Sequence, residues 1–498
     1  MIMYKFREKI RLFLAYKSYK KAPLIVSLLL LAVFSPSSHS ADIKLPLLGD
    51  SSSGIVSKQQ EYKLGKSWLQ AFRRHVELHD DPILQSYLEQ LSYDLVAHSD
   101  LEDTRLTVVV VNNPTINAFA VPGGVIGIHT GIFTYADTED QLSSIIAHEI
   151  AHLSQRHFAR SMEAQRSASA ISLAGLLATI IVSSQADTDA AIATLTTAQA
   201  LSADQQLRYS RNNEQEADRL GVRIMTRAGK DPGASADMLN NMLALGRYKG
   251  NRPPEFLLTH PVTERRVADT RARTISTATR HYPENSNYYL MQARAAVLVH
   301  DDAKFSVKYF QQKIDSNSLQ TKAAKYGLAL AYSNLGNHKQ ARKILASLLS
   351  EDPMNSLFTY TDIENDIAAQ EYNIALSKLE YQLKLNARNY PLQVLLAETL
   401  WQHKQYSASA KVLTQLSNQR KEDPAIWYKL AEVRGLAGDI AGVHRARAEY
   451  FILVGAFERA KQQLNLAAKL LAYDFKQVSI IKQRLIEIEQ MEKTLRRL

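Results

Sequence analysis

The sequence predicts an α+β domain followed by an all-α solenoid, and three observations carry that reading. Strand-like segments cluster between Leu106 and His129. Beyond the Gly/Pro-rich connection from Gly246 to Pro254, no strand signal of any length remains. In that second half Leu328-Ala329 with Leu345, Leu396-Ala397 with Leu413, and Leu430-Ala431 recur, the first step being twice the second and the second being about 34 residues. Paired helices at that period are the tetratricopeptide signature. At 498 residues the chain also exceeds what one hydrophobic core organises, so at least two domains are expected.

Composition narrows partners and compartment. With 46% hydrophobic and 22% charged residues the chain is globular and not disordered. Its formal charge is +10, but residues 1–40 hold Lys5, Arg7, Lys9, Arg11, Lys17, Lys20 and Lys21 against Glu8 alone, so +6 sits there and only +4 elsewhere. This argues against a nucleic-acid partner. The basic residues precede an apolar run from Leu24 to Phe34, and Ser38-His39-Ser40-Ala41 offers the small residues a signal peptidase reads. Residues 1–40 therefore read as a secretory signal cleaved after Ser40; the run is short for a membrane span, which needs about 20 residues. There is no cysteine, so neither disulfides nor a lipid-modified cysteine is available after export. The periplasm is the expected compartment, with full secretion left open.

The elements follow in order. Helices are expected near Ser57 to Leu78 and Pro82 to His98, the second with Asp81 as N-cap and proline in its first turn. Leu106 to Val111 is β-branched and short, as a buried strand should be. Ile116 to Val121 and Val125 to His129 follow, separated by Pro122-Gly123-Gly124. Thr138 stands three residues before Gln141, the capping-box spacing, and opens a largely buried helix carrying Leu142, Ile145, Ile146, Ile150 and Leu153. Ser167 to Ala186 has no charged residue and reads as a helical hairpin over the site, with peripheral membrane contact as the alternative. A further helix is expected from Val262 to Ser276. The repeats are degenerate, and the element from Glu449 to Leu471 starts earlier than the period requires. The expected segments are a signal over 1–40, an α+β domain over 41–280, repeats over 285–472 and a terminal helix over 473–498.

Chemistry concentrates in His148-Glu149-Ile150-Ala151-His152. Two histidines four apart lie about 40° apart around a helix and about 6 Å along it, so both imidazoles reach one ion. Glu149 beside them is placed to take a proton from water. The apolar flanks make uncoordinated His and Glu side chains costly to bury. A catalytic zinc needs a third protein ligand, and Glu214 in Asn213-Glu214-Gln215-Glu216-Ala217-Asp218 is the best candidate. Asp218, one turn on, can accept the free N–H of a ligand histidine. Glu216 is the rival, but two residues away it faces elsewhere on a helix. His157, five residues after His152, lies about 140° around a continuing helix and is read as structural or exposed. His75, His79, His98 and His129 are read as solvated or core histidines.

These residues carry a family resemblance. The motif helix and the downstream Glu-x-x-Ala-Asp resemble the gluzincin metallopeptidases of the HtpX and CAAX-prenyl-protease group, as do Asn117-Ala118-Phe119-Ala120-Val121-Pro122-Gly123-Gly124 and Thr259-His260-Pro261-Val262-Thr263-Glu264-Arg265-Arg266. With the signal and the repeats, the mature chain resembles the periplasmic β-barrel assembly-enhancing branch of that group. The resemblance implies a zincin-type (minigluzincin) metallopeptidase domain with one Zn²⁺ ahead of the tetratricopeptide-repeat solenoid. It also implies protease and chaperone-like activity on unfolded or misassembled outer-membrane β-barrel proteins, contacts with the barrel-assembly machinery, and a latency role for His260 at the metal's open position. From its residues alone, His260 is a loop histidine before a proline.

The expected chemistry is peptide hydrolysis. A zinc ion held by His148, His152 and Glu214 acidifies water, and Glu149 takes the proton and returns it to the leaving amine. The oxyanion needs a further donor, for which His260 and Arg266 both stand. Ile116 to Val121 offers a strand against which an unfolded substrate aligns, unless it is an interior strand. Three functions stay open: a periplasmic zinc endopeptidase, a repeat-based chaperone or scaffold with slight peptidase activity, and a membrane-embedded peptidase.

Overall fold

The structure is a computed structural model that describes residues 57–164, 203–248, 255–275, 281–300, 302–315 and 320–495. The segment expected to be a signal and the apolar stretch at 167–186 lie outside the described residues.

Two helices open the α+β half, α1 (Lys58–His75) and α2 (Pro82–Ala97). The Ser57 side chain accepts the Gln60 amide N–H and the Gln60 side chain accepts that of Ser57, a reciprocal box that satisfies two orphan donors. Asp81 accepts the N–H groups of Ile83 and Leu84 at the start of α2. Three strands follow: β1 (Thr107–Val111), β2 (Ala118–Val121) and β3 (Val125–His129). Their spatial order is β1-β3-β2, with β1 parallel and β2 antiparallel to β3. Ile116 to Val121 thus ends in an edge strand and not an interior one. The tight β2 to β3 reversal puts Gly123 and Gly124 at φ of +85° and +80°, where a side chain would be strained.

The strands alternate between two cores. Val109, Val111, Phe119, Val121 and Val125 face Trp68, Leu69 and Phe72 of α1. Val108, Val110, Ala118, Ile126 and Ile128 join a second cluster with α2 and α3 (Glu139–Ser154). The sheet is therefore the middle layer of three. Thr138 accepts the Gln141 N–H, as the capping-box spacing requires, but the Gln141 side chain accepts from Asp137 and not from Thr138. After α3 come α4 (His157–Ala164), α5 (Ala203–Arg227), α6 (Gly233–Tyr248), α7 (Glu255–Thr259) and α8 (Glu264–Thr274), the last capped by Thr263.

The remainder is helical: α9 (Ser286–Val299), α10 (Ala303–Asp315), α11 (Thr321–Asn334), α12 (His338–Glu351), α13 (Ser356–Ala368), α14 (Tyr372–Leu385), α15 (Tyr390–Gln402), α16 (Tyr406–Gln419), α17 (Pro424–Leu436), α18 (Ile440–Leu453), α19 (Phe457–Leu470) and α20 (Phe475–Leu495). The first helices of successive pairs begin at Thr321, Ser356, Tyr390, Pro424 and Phe457, each start about 34 residues after the last. The stretch from Glu449 to Leu471 is consequently not an early-starting element. It is the end of α18, a turn at Gly455 and α19, in period. Gly336, Gln370, Lys404 and Gly438 share the left-handed conformation at the turn inside each pair, one full repeat from the next.

The array packs on the α+β half. The core cluster of α2 and α3 runs without a break into Tyr288, Tyr326, Phe358 and Leu392. Arg294, buried in α9, contacts Asp81 at 2.8 Å and Glu364 of α13 at 2.6 Å. Arg73 of α1 donates to the Glu422 carbonyl at 2.7 Å, and Gln70 to that of Ile452 at 3.1 Å. Among the described residues no helix is long and apolar enough to cross a membrane.

Candidate metal centre

α3 is buried over almost its whole length, Glu139 and Gln141 to Ala151 included, so His148 and Glu149 sit where charge needs partners. α5 crosses it closely because Ala217 and Gly221 present no bulk. A Cβ on Gly221 would already stand 3.4 Å from the His148 amide nitrogen. That crossing places Glu214 opposite both motif histidines. Glu214 Oε2 is 3.4 Å from His148 Nε2, Glu214 Oε1 is 3.4 Å from His152 Nε2, and the two histidine nitrogens are 3.0 Å apart.

His260 completes the group from the chain after α7. Its amide donates to the Phe256 carbonyl at 2.8 Å and its ring stacks on Phe256 with centroids 4.7 Å apart. Its Nδ1 is 3.2 Å from both oxygens of Glu214, and its Nε2 is 3.5 Å from Glu149 Oε1. Ligand-type atoms of His148, His152, Glu214 and His260 all lie within 4.8 Å of one another.

The residues fit a metal ion. Atoms bound to one tetrahedral zinc at about 2.0–2.1 Å stand about 3.3–3.4 Å apart, close to the separations among His148, His152 and Glu214. Two imidazoles and a carboxylate are a zinc-type donor set. Glu149 Oε1 is buried without a hydrogen bond, while the carboxylate accepts the Ala120 N–H from β2. Such an orphan oxygen is costly unless water or substrate meets it.

The electrostatics follow from burial and pairing. Burial lifts the Glu149 carboxyl above the ordinary range, with His260 and His148 opposing. Glu214 is held well below that range because His260, His148 and His152 outweigh burial. Burial works against the His148 cation too, yet Asp218 and Glu214 pull its pKa up to about 10. Burial pushes His152 down to about 3.

Asp218 Oδ1 faces His148 Nδ1 at 3.1 Å. Arg266 forks onto Asp218 with two contacts of 2.7 Å, reaches Glu214 Oε2 at 3.0 Å and donates to the Pro261 carbonyl at 2.8 Å. Its guanidinium is thus committed to Asp218, Glu214 and the Pro261 carbonyl. Glu216 is not part of the His148, His152, Glu214 and His260 cluster and pairs with Arg160 and His157.

His157 departs from its expected place. α3 ends at Ser154 and Arg156 takes φ +50°, so the helix does not continue and the rotation expected of a continuing helix never applies. His157 instead turns back, 4% exposed, with Nδ1 2.9 Å from His152 Nδ1. The left-handed turn is the piece that residue spacing does not reveal. Desolvation holds half-buried His79 and fully buried His129 below their ordinary pKa range.

The description Peptidase family M48 matches residues 82–274, and a tetratricopeptide-repeat model matches residues 366–433. The "Beta-barrel assembly-enhancing protease" of Escherichia coli is 31% identical over 472 residues, covering 95% of this chain and 96% of the relative. The "Putative beta-barrel assembly-enhancing protease" of Vibrio cholerae is 31% identical over 86% of this chain and 88% of its own length. The "Mitochondrial metalloendopeptidase OMA1" of Saccharomyces cerevisiae is 32% identical over 179 residues, 34% of this chain and 48% of its own.

Proposed function

The chain belongs to peptidase family M48, and from that premise we propose that it is a periplasmic zinc endopeptidase that degrades misassembled outer-membrane β-barrel proteins and promotes assembly of others. One observation carries the reading. His148, His152 and Glu214 converge in a buried pocket beside Glu149, whose carboxylate touches the outer edge of β2.

Zinc, when held by His148, His152 and Glu214, supplies Lewis acidity that acidifies water and polarises a carbonyl. Glu149 takes the proton from attacking water and delivers it to the leaving amine; its raised pKa lets the carboxyl hold that proton. The Asn117 carbonyl bonds to the His129 amide, so the intervening Ala118 and the Ala120 amide face away from β3. Beside Glu149, which takes the Ala120 N–H, that outer edge offers the Ala118 backbone and the Ala120 carbonyl to an extended peptide, and such pairing reads strand-forming ability more than side-chain identity. Asp218 orients His148, and Arg266 holds Asp218 and Glu214 in place, so we assign Arg266 to positioning rather than to the oxyanion. His260 holds the site latent until it is displaced, and once displaced it is free to serve the oxyanion.

The relatives' printed name and the repeat array support clients and partners of the same kind: unfolded barrel proteins and the barrel-assembly machinery. The basic and apolar residues 1–34 support export, with the signal removed near Ser40. The experiment is Glu149→Gln in the full chain. Turnover of an unfolded barrel client should fall by at least about 100-fold with bound zinc retained. Client turnover equal to the parent's would leave a repeat-based chaperone as the reading.

A further inference from the structure

The metal-centre reading uses His148, His152 and Glu214 but leaves a second string of side chains without a role. His157 opens α4 with its Nδ1 2.9 Å from His152 Nδ1 and its Nε2 3.3 Å from Glu216 Oε2. The same Glu216 oxygen accepts from Arg160 at 3.0 Å. We propose that His157, oriented by Glu216 and Arg160, is a positioning residue that fixes the tautomer of His152 and thereby the metal affinity of the centre. This inference rests on the metal-centre reading.

Counting protons leads to it. An ionised carboxylate only accepts hydrogen bonds, so the proton of neutral His157 sits on Nε2, toward Glu216. His157 Nδ1 then carries a lone pair. Two ring nitrogens 2.9 Å apart need one proton between them, and it must belong to His152 Nδ1. His152 is left with a bare Nε2, the atom that faces His148 Nε2 and Glu214.

Asp218 does the same to His148 from the other side, taking the Nδ1 proton at 3.1 Å. Each ligand histidine thus hangs on its own string, and each string ends on an arginine, Arg266 or Arg160. Released from His157, His152 could carry its proton on Nε2 and block ligation.

The backbone is bent to build this contact. Arg156 adopts φ +50°, a conformation that non-glycine residues rarely take. Its side chain pairs with buried Glu61 of α1 at 3.0 Å. The turn swings His157 from the far side of α3 to the His152 ring.

The test is a zinc titration of the full-length mature chain, in competition with a chromophoric chelator, for the parent and for His157→Leu, His157→Gln and Glu216→Gln. Cobalt absorption and the unfolding midpoint of the metal-free protein are read in parallel. His157→Leu should bind zinc about 10- to 100-fold more weakly and alter the cobalt spectrum. His157→Gln should recover much of the affinity, because its amide oxygen can accept the His152 Nδ1 proton. Glu216→Gln should lose affinity, since a glutamine can donate to His157 and reverse its tautomer. A His157→Leu protein that loses thermal stability but keeps the parent's zinc Kd overturns the proposal. Should that variant not fold, Glu216→Gln decides, its side chain being 31% exposed: a parental Kd overturns the proposal. A parent chain that binds no zinc removes the metal-centre reading itself, which is a different result.

Discussion

His260 Nε2 stands 3.5 Å from Glu149 Oε1 while His260 Nδ1 stands 3.2 Å from both oxygens of Glu214. One imidazole therefore covers the carboxylate proposed to handle protons and touches the carboxylate proposed as ligand. A peptide carbonyl needs the same space. His260→Ala should cleave an unfolded substrate such as casein about tenfold faster than the parent, the effect of removing about 1.4 kcal/mol of closure. A slower variant would instead assign His260 to transition-state donation.

Arg266 lies 4% exposed with a two-pronged hold on Asp218. Replacing it by methionine leaves Asp218 and Glu214 buried without their cation. The metal-free protein should lose about 3–5 kcal/mol of stability in urea unfolding. Arg266→Lys should recover little, because an ammonium cannot make the fork.

Arg294 ties the cap of α2 to the repeats through Asp81 and Glu364. Asp81 is held below its ordinary pKa by Arg294 against burial, so the pair is ionised at neutral pH. Arg294→Glu should cost at least about 3–5 kcal/mol, since it replaces the buried cation by an anion beside buried Asp81 and half-buried Glu364. Limited proteolysis should then release the repeat array from the peptidase half as a discrete fragment.

His129 is fully buried and desolvation pushes its pKa down to about 3. The unfolded chain takes up that proton near pH 6.5, before the folded one does. The stabilisation is therefore complete above about pH 6.5 and is lost as pH falls toward 3. Between pH 6.5 and 5 the parent should lose stability relative to His129→Gln by about 1 kcal/mol per pH unit, read from denaturant midpoints.

Legibility in the sequence follows how local each signal is. The strands at Thr107, Ala118 and Val125 are readable because β-branched residues and the Pro122-Gly123-Gly124 break act within a few residues. The repeats are readable where glycine marks the inner turn, at Gly336 and Gly438. The copy at Gln370 is obscure because it takes the same left-handed conformation without the glycine that announces it, whereas at Lys404 the flanking Leu396-Ala397 and Leu413 make up for the missing glycine. The in-period start of α19 at Phe457 is hidden for a related reason, because Gly455 sits inside an apolar stretch.

By itself the sequence determined the helical spacing of His148 and His152, the place of Glu149 between them, and the identity of the repeat unit. These depend on the periodicity of the helix and on the recurrence of the repeat, both written along the chain. Helical spacing already favours Glu214 over Glu216, but only the tertiary structure brings Glu214 to the histidines, sets Arg266 on Asp218 from behind and returns His157 to His152. The physical reason is that those contacts hang on the α3–α5 crossing at Gly221 and on the single positive φ of Arg156. A dihedral and a crossing point leave no periodic trace in residue type.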